Sequence, residues 1–343
     1  MKRLVILAPN WLGDAVMALP AIADVRRGAP EASIAIAARP AIAPLFRLVP
    51  GVDEIIVLAR RTAIRGVADW RTLGDDLAGG GFDSALVLPN SIHAAVLATR
   101  AGIPERWGYR GGWRSRLLTR AIARPSAVHQ VVWYQHLVRA LGFANGPVEP
   151  RLRLPREAGA DAARLLTEDG WDGQAPLVAL APGAAYGGAK RWPPDYFGEL
   201  ASRLAADGVS CVIVGGSADA ATAADVVRAF SRESGRSGGR KGRLHNLVGR
   251  TDLSALAGIT TLCRTLVTND SGAMHLAAAA GLGVTAVFGP TDDRATRPLG
   301  DKHTVLTHPV WCRPCMLREC PLDHRCMRGV GVSVVLASAR KAP

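Results

Sequence analysis

A chain of 343 residues, 48% hydrophobic and 21% charged, is too long for one ordinary α/β domain and too apolar for a disordered or fibrous protein, so two globular domains are expected. No apolar run approaches the ~18 residues of a membrane-spanning helix, and the basic start at Met1 leads into an apolar run too short for a signal peptide core. The formal charge of +13 invites nucleic acid as a partner, but Arg supplies 37 of the 42 basic residues beside abundant Ala and Gly, which reads as compositional drift, and no nucleic-acid module is present.

Taken in chain order, residues 4–8 read as a first strand stopped by Pro9 and Asn10. Gly13 and Asp14 close the following loop and open a helix expected over 15–27. A carboxylate at that place can take a proton from an attacking hydroxyl, and it equally suits a helix N-terminus with no chemistry attached. Strands over 34–37, 54–58 and 84–88 alternate with helices over 62–78 and 92–100.

Between Arg100 and Arg124 lie Arg106, Arg110, Arg114, Arg116 and Arg120, with Trp107, Tyr109 and Trp113 among them and Glu105 as the single acid. Such a patch suits phosphates, anionic lipid headgroups or an acidic saccharide, or it is a solvated surface loop. A helix over 132–141 and the turn-rich stretch 142–155, with Gly146, Pro147, Pro150 and Pro155, place a domain connection at residue 155.

A second wound unit follows, with strands over 177–181, 209–214, 266–268 and 284–288 and helices over 195–206, 218–230 and 272–280. After its first strand comes A-P-G-A-A-Y-G-G-A-K-R-W-P, a loop whose Gly183, Gly187 and Gly188 permit close backbone approach to a ligand. Ala189 between the second glycine and Lys190, and Arg191 in place of a hydroxyl residue, exclude a P-loop. A backbone cradle with Lys190 as a point charge for a diphosphate remains, as does a structural loop with a solvated lysine. Residues 231–242, without apolar side chains, read as a flexible surface loop.

The stretch 267–292 reads as strand, polar turn, helix and strand, with Asn269, Asp270 and Ser271 as N-cap candidates and Gly281 as the stop. The free N–H groups of such a helix form an anion site, although an ordinary capped crossover has the same pattern. The glycines at 281 and 283 end a helix and precede a strand, the reverse of a dinucleotide fingerprint. Cys211 and Cys263 lie in apolar segments and read as core residues. Cys312, Cys315, Cys320 and Cys326 cluster with His308 and His324 near; a structural metal is one reading and a reduced or partly oxidised thiol cluster the other.

Several of these segments together resemble the ADP-heptose:lipopolysaccharide heptosyltransferases of glycosyltransferase family 9. The carriers are N-W-L-G-D-A-V-M-A-L-P from Asn10, L-P-N-S from Leu88, the glycine-rich loop from Ala181, T-N-D-S-G-A-M-H-L-A-A-A from Thr268, F-G-P-T from Phe288 and C-P-L-D-H-R-C-M from Cys320. Their order covers nearly the whole chain, with residues 231–242 and a short C-terminal tail as departures.

The resemblance implies a glycosyltransferase-B fold, two doubly wound Rossmann-like domains facing across a cleft, with the acceptor domain over 1–155 and the nucleotide-sugar domain over 156–343. It implies an inverting transfer of heptose from ADP-heptose to the first heptose of the lipopolysaccharide inner core. Related alternatives are addition of the first heptose or of another nucleotide sugar, and a distant one is a non-catalytic binder of anionic polymers. By the same likeness Asp14 is the base and Lys190 contacts the diphosphate, with Gly183, Ala184, Asp270, Ser271, Gly272 and His275 also at the donor. Asn10, Asn90, Ser91, Arg106, Arg110 and Arg114 fall to the anionic acceptor.

A carboxylate beside a diphosphate repels it, so Asp270 is expected to cap its helix or bind sugar hydroxyls. No Asp-x-Asp pair is evident and cationic groups can offset the leaving charge, so no cofactor is expected beyond the donor and the conditional metal at the cysteines. The expected place is the cytoplasm, peripheral to the inner face of the inner membrane, with no nucleic-acid partner.

Overall fold

The computed structural model describes residues 1–58, 74–234 and 242–341. It divides into two compact units, Met1–Arg153 and Leu154–Pro343. The helix expected over 62–78 lies outside the described residues except for the turn Asp75–Ala78, and most of the loop expected over 231–242 lies outside them as well.

The first unit is a parallel sheet of β1 (Arg3–Leu7), β2 (Ser33–Ala38), β3 (Glu54–Val57), β4 (Ser84–Val87), β5 (Glu105–Tyr109) and β6 (Arg120–Ile122). Its order is β3-β2-β1-β4-β5-β6. The second unit repeats that order with β7 (Leu177–Ala181), β8 (Ser210–Ile213), β9 (Leu244–Asn246), β10 (Cys263–Asn269), β11 (Val284–Phe288) and β12 (Thr304–Thr307), arranged β12-β11-β10-β7-β8-β9. β7 and β11 are buried at every residue, as strands covered on both faces must be, which explains their continuous apolar runs. In each doubly wound sheet the order reverses at one place, between β1 and β4 and between β7 and β10, and loops leaving the carboxyl ends there form the natural ligand crevice.

Four features depart from the sequence expectations. The helix expected over 15–27 is two helices, Leu12–Met17 and Leu19–Gly28, because Pro20 lacks an N–H and starts a new helix in its first turn. The arginine-rich stretch is not one surface loop: it holds β5 and β6, which extend the sheet beyond β4. β9 and β12 are too short, at three and four residues, to carry a period-two signal. The C-terminal helix Val332–Lys341 belongs to the second unit, where Val332, Val335, Leu336 and Ala339, spaced as one helical face, join the core around Trp192, Phe197 and Leu200.

The connection between the units is fixed from below by Asp24, which is fully buried in helix Leu19–Gly28. Its carboxylate accepts from Gln135 Nε2 at 2.9 Å and from the Gly146 N–H at 3.0 Å, and it pairs with Arg27.

Candidate active site

Both residues around which the second unit's crevice is built lie at its reversal point. β7 runs into the glycine-rich loop, whose last turn Gly188–Lys190 carries Lys190, and β10 runs into Asp270. Lys190 Nζ and Asp270 Oδ2 are 2.5 Å apart, with side chains only 13% and 7% exposed. The Thr291 hydroxyl, on the loop after β11, donates to the same Asp270 oxygen at 2.7 Å. Lys190 Nζ also sits 4.8 Å from the centre of the Tyr186 ring. The lysine is therefore a paired cation held among fixed partners, not a solvated one.

This pairing corrects the expected polar turn. Asp270 neither caps its helix nor faces solvent; it is the counter-ion of Lys190. Asn269 does not cap either: it is fully buried, accepts from the Trp192 N–H at 2.9 Å and donates to the Pro182 carbonyl at 2.7 Å, tying β10 to the glycine-rich loop. Ser271 does occupy the N-cap of helix Gly272–Ala279 but makes no side-chain cap, because its hydroxyl is 3.1 Å from Thr268 Oγ1. The first-turn N–H groups, including that of Gly272, are left without intrahelical partners, as at any helix start. His275 lies on the same helix, 5% exposed.

The glycine-rich loop itself is filled partly by the chain. The Gly188 N–H donates to Glu319 Oε1 at 3.0 Å, the Ala189 N–H to the Arg318 carbonyl at 2.9 Å, and the Tyr186 hydroxyl to the Met316 carbonyl at 2.8 Å. A Cβ at Gly187 would stand 2.3 Å from the Arg318 carbonyl oxygen, and one at Gly183 2.2 Å from Asp219 Oδ1. Gly187 and Gly188 thus admit the 316–319 segment, not a ligand. Ala184 is buried at 3%. The same strap reaches the loop after β11, where Arg313 Nε donates to the Gly289 carbonyl at 2.8 Å and the Met316 N–H to the Pro290 carbonyl at 2.9 Å. It therefore braces both loops that supply Lys190 and Thr291. Sequence reasoning missed Thr291, Tyr186 and Asp219, although the first two stand inside the quoted motifs; only the fold shows what they touch.

In the first unit the corresponding reversal point carries Asp14, in the first turn of helix Leu12–Met17 after β1, and Asn90 and Ser91 after β4. Burial, and after it the Asp14 carboxylate, raises the pKa of the Tyr134 phenol, so Asp14 faces a buried aromatic wall. Asn10 is exposed at the bend before that helix. Ser91 caps helix Ile92–Arg100, its hydroxyl accepting from the Ala94 N–H at 3.3 Å. His93 has a lowered pKa, from burial and then from Arg39 beyond β2. Arg110 is exposed at the end of β5. Arg114 is buried and donates to Asn90 Oδ1 at 3.0 Å. Arg106 does not belong with these cations: its guanidinium is spent on the carbonyls of Leu117, Ile103 and Pro104 at 2.7, 2.5 and 2.9 Å, so it pins β5 to the chain around it.

All six cysteines are free thiols. Burial raises the pKa of Cys263 to about 12 and that of Cys211 further. Cys326 is buried and Cys312, Cys315 and Cys320 are partly exposed. Among the described residues no three His, Cys, Asp or Glu side chains are placed to hold a metal ion, which corrects the structural-metal expectation for this segment. A surface recess of about 500 Å³ beside it, lined by His308, Asp323, His324, Arg325 and Arg328 among others, shares no residue with the Lys190 cluster. None of the described helices is long and apolar enough to cross a membrane.

Residues 70–325 match the family described as glycosyltransferase family 9 (heptosyltransferase). The lipopolysaccharide heptosyltransferase 2 of Salmonella typhimurium is 30% identical over 310 residues, covering 89% of this chain and 87% of that protein. The solved structure of Escherichia coli ADP-heptose lipopolysaccharide heptosyltransferase II superposes with a TM-score of 0.81 at 28% identity, over 99% of this chain and 98% of that one. An E. coli heptosyltransferase solved with ADP shares the fold at 18% identity, with a TM-score of 0.75 over the whole of both chains.

Proposed function

The chain belongs to glycosyltransferase family 9, the heptosyltransferases, and we propose that it transfers L-glycero-D-manno-heptose from ADP-heptose to the first heptose of the lipopolysaccharide inner core, with inversion. The observation that carries this assignment is the end-to-end likeness to a heptosyltransferase II in both sequence and fold. Membership makes the chain an enzyme and displaces the alternative of a non-catalytic polymer binder.

In a single displacement the acceptor hydroxyl oxygen forms the bond to the anomeric carbon as the bond from that carbon to the diphosphate breaks. The proton goes to a base, ADP leaves with the electron pair, and no covalent enzyme intermediate is needed. Asp14 is the carboxylate we assign as that base, with the first unit taking the acceptor and the second the donor. Lys190 carries three N–H donors, of which Asp270 engages one, so the others remain for diphosphate oxygens. Asp270 offsets the lysine's charge before the donor arrives and holds its direction. The N–H groups at Ser271 and Gly272 supply the neutral part of the diphosphate seat, where charge on the leaving group develops. Gly183, Ala184 and His275 complete the donor set, and Asn10, Asn90, Ser91, Arg110 and Arg114 the acceptor set.

The acceptor is lipid-borne, so the enzyme works as a cytoplasmic protein peripheral to the inner face of the inner membrane. Calorimetry with ADP-heptose against UDP- and GDP-sugars tests the donor, and transfer to cores ending in the first heptose or lacking it tests the acceptor. Tightest binding of the ADP-sugar and transfer only to the heptose-ended core are expected. A preference for UDP or GDP, or transfer to the core without heptose, would overturn the assignment.

A further inference from the structure

The first unit holds a buried charge with nothing to neutralise it. Arg114, in the turn Gly112–Leu117 after β5, is 2% exposed, yet only its Nη1 has a partner, the Asn90 side chain; Nε and Nη2 are buried with none. An unmade hydrogen bond on a buried group costs about 1–3 kcal/mol, and more when the group is charged. The nearest charge makes matters worse, since Arg124, just beyond β6, is a second cation. Burial and the Arg124 guanidinium together bring the Arg114 pKa down to about 10. Among the described residues no carboxylate pairs with either guanidinium. Glu105, the single acid between Arg100 and Arg124, is engaged by Trp107 Nε1 at 3.1 Å and Thr119 Oγ1 at 3.0 Å.

Two glycines leave the room these cations occupy. A Cβ at Gly108 would stand 3.2 Å from Arg114 Nη2, and one at Gly111 would stand 2.7 Å from Arg124 Nη2. The guanidiniums thus converge over bare backbone at the carboxyl edge of the sheet, beside the loop that carries Asn90 and Ser91. Two adjacent unsatisfied N–H donors on a planar fork suit an oxyanion held through two of its oxygens, and a second cation beside it suits a doubly charged one.

We infer that Arg114 and Arg124, with Asn90 orienting the first, form a preformed seat for a phosphoryl or carboxylate group borne by the acceptor saccharide. The inference rests on the first unit being the acceptor-binding one and adds to it the chemical group that the acceptor must present. Asn90 acts as a positioning residue, because its side chain takes one N–H of Arg114 and so turns the other two toward the ligand.

The test uses the full chain with ADP present in excess, so that a phosphate competing for the donor diphosphate seat is blocked. Inorganic phosphate, and in a parallel arm acetate, is titrated by calorimetry and scored as a competitor of the acceptor in the transfer assay. Phosphate is expected to bind under ADP, to raise the acceptor KM with kcat unchanged, and to bind roughly tenfold or more weakly to Arg124→Ala and Arg114→Gln. Arg124 is exposed, so Arg124→Ala keeps the question open to decision even where Arg114→Gln does not fold. Tighter binding of phosphate assigns a phosphoryl group and tighter binding of acetate a carboxylate; both support the seat. Phosphate binding that vanishes under ADP, or that is equal in wild type and both variants, overturns it. Transfer without phosphate competition removes the seat and leaves the transferase assignment standing; Arg124-dependent phosphate binding in a chain that ignores ADP-sugars does the reverse.

Discussion

Lys190 and Asp270 form a buried ion pair, 2.5 Å between Nζ and Oδ2, at the point where the second sheet reverses its strand order. Removing one partner of such a pair leaves an uncompensated buried charge, at a cost of about 3–5 kcal/mol, while removing both is far cheaper. Lys190→Ala is therefore expected to lose stability as well as transfer, and Lys190→Ala with Asp270→Asn to regain most of the stability and none of the transfer. Urea unfolding of the three proteins beside their turnover separates the two effects. Equal stability of the single and double variants would show that the two charges are not coupled.

Asp14→Asn keeps the size and shape of the side chain and removes its basicity. Transfer is expected to fall by roughly 10²–10⁴, the usual contribution of a positioned base, with ADP affinity unchanged because the donor seat is assigned to the second unit. Single-turnover rates and ADP calorimetry on the same preparation check it. Near-normal turnover would reduce Asp14 to a residue that favours its helix N-terminus.

The bracing of the glycine-rich loop by residues 316–319 predicts a donor-side phenotype from positions that touch no substrate. A methyl group at Gly187 collides with the Arg318 carbonyl, so Gly187→Ala must displace the strap or the loop, and overpacking of this kind costs roughly 1–3 kcal/mol. The donor KM is expected to rise about tenfold with a smaller change in kcat. Glu319→Ala, which removes the acceptor of the Gly188 N–H, should move the same way, and Glu319→Gln, which keeps an acceptor oxygen, should not. A loss confined to kcat in Gly187→Ala would place the strap's effect elsewhere.

What the sequence made legible follows from how locally each feature is encoded. β7, β11 and helix Ile92–Arg100 coincide with the spans expected from continuous apolar runs and a capping serine, signals contained in the segment itself. β5 and β6 were hidden because their arginines and glycines mask a strand pattern, and their pairing with β4 is a non-local fact. In the candidate site the residue types at the strand ends were readable, since polar turns there are where parallel sheets bind anions. Their partners were not. Asp270 meets Lys190 across 80 residues of sequence and Asn269 meets Trp192 across 77, so a side chain that looks like a helix cap from its neighbours is drawn off by a stronger distant partner. Arg106 shows the same effect in reverse, an apparent surface cation consumed by carbonyls.

The thiols divide by burial, which gives a chemical prediction. Thiolate is the reactive form, and burial holds the Cys211 and Cys263 thiols protonated far above neutral pH; at Cys326 burial, and then the neighbouring cysteines, also raise the pKa. Cys312, Cys315 and Cys320 are partly exposed, so iodoacetamide on the folded protein near pH 8 should add to these three first and to the others only on unfolding. Mass spectrometry of the intact and digested protein reads the count. Fast labelling of Cys326, or protection of the exposed three, would contradict the packing of this segment.

Asp24 offers a stability test confined to one unit. Its buried carboxylate satisfies Gln135 and the Gly146 N–H and neutralises Arg27, so Asp24→Ala leaves a buried amide and a backbone donor without acceptors as well as a cation without its partner. The expected loss is about 3 kcal/mol, assembled from buried hydrogen bonds and not from the exposed end of Arg27. In a unit of this size that lowers the melting temperature by about 6–12 °C. Asp24→Asn retains one acceptor oxygen and should lose less, because the amide can still serve either Gln135 or Gly146 but not both equally. The second unit contains none of these residues, so the folded variants should bind ADP as the wild type does. Weakened ADP binding at a temperature where both units are folded would contradict a role for Asp24 limited to the first unit.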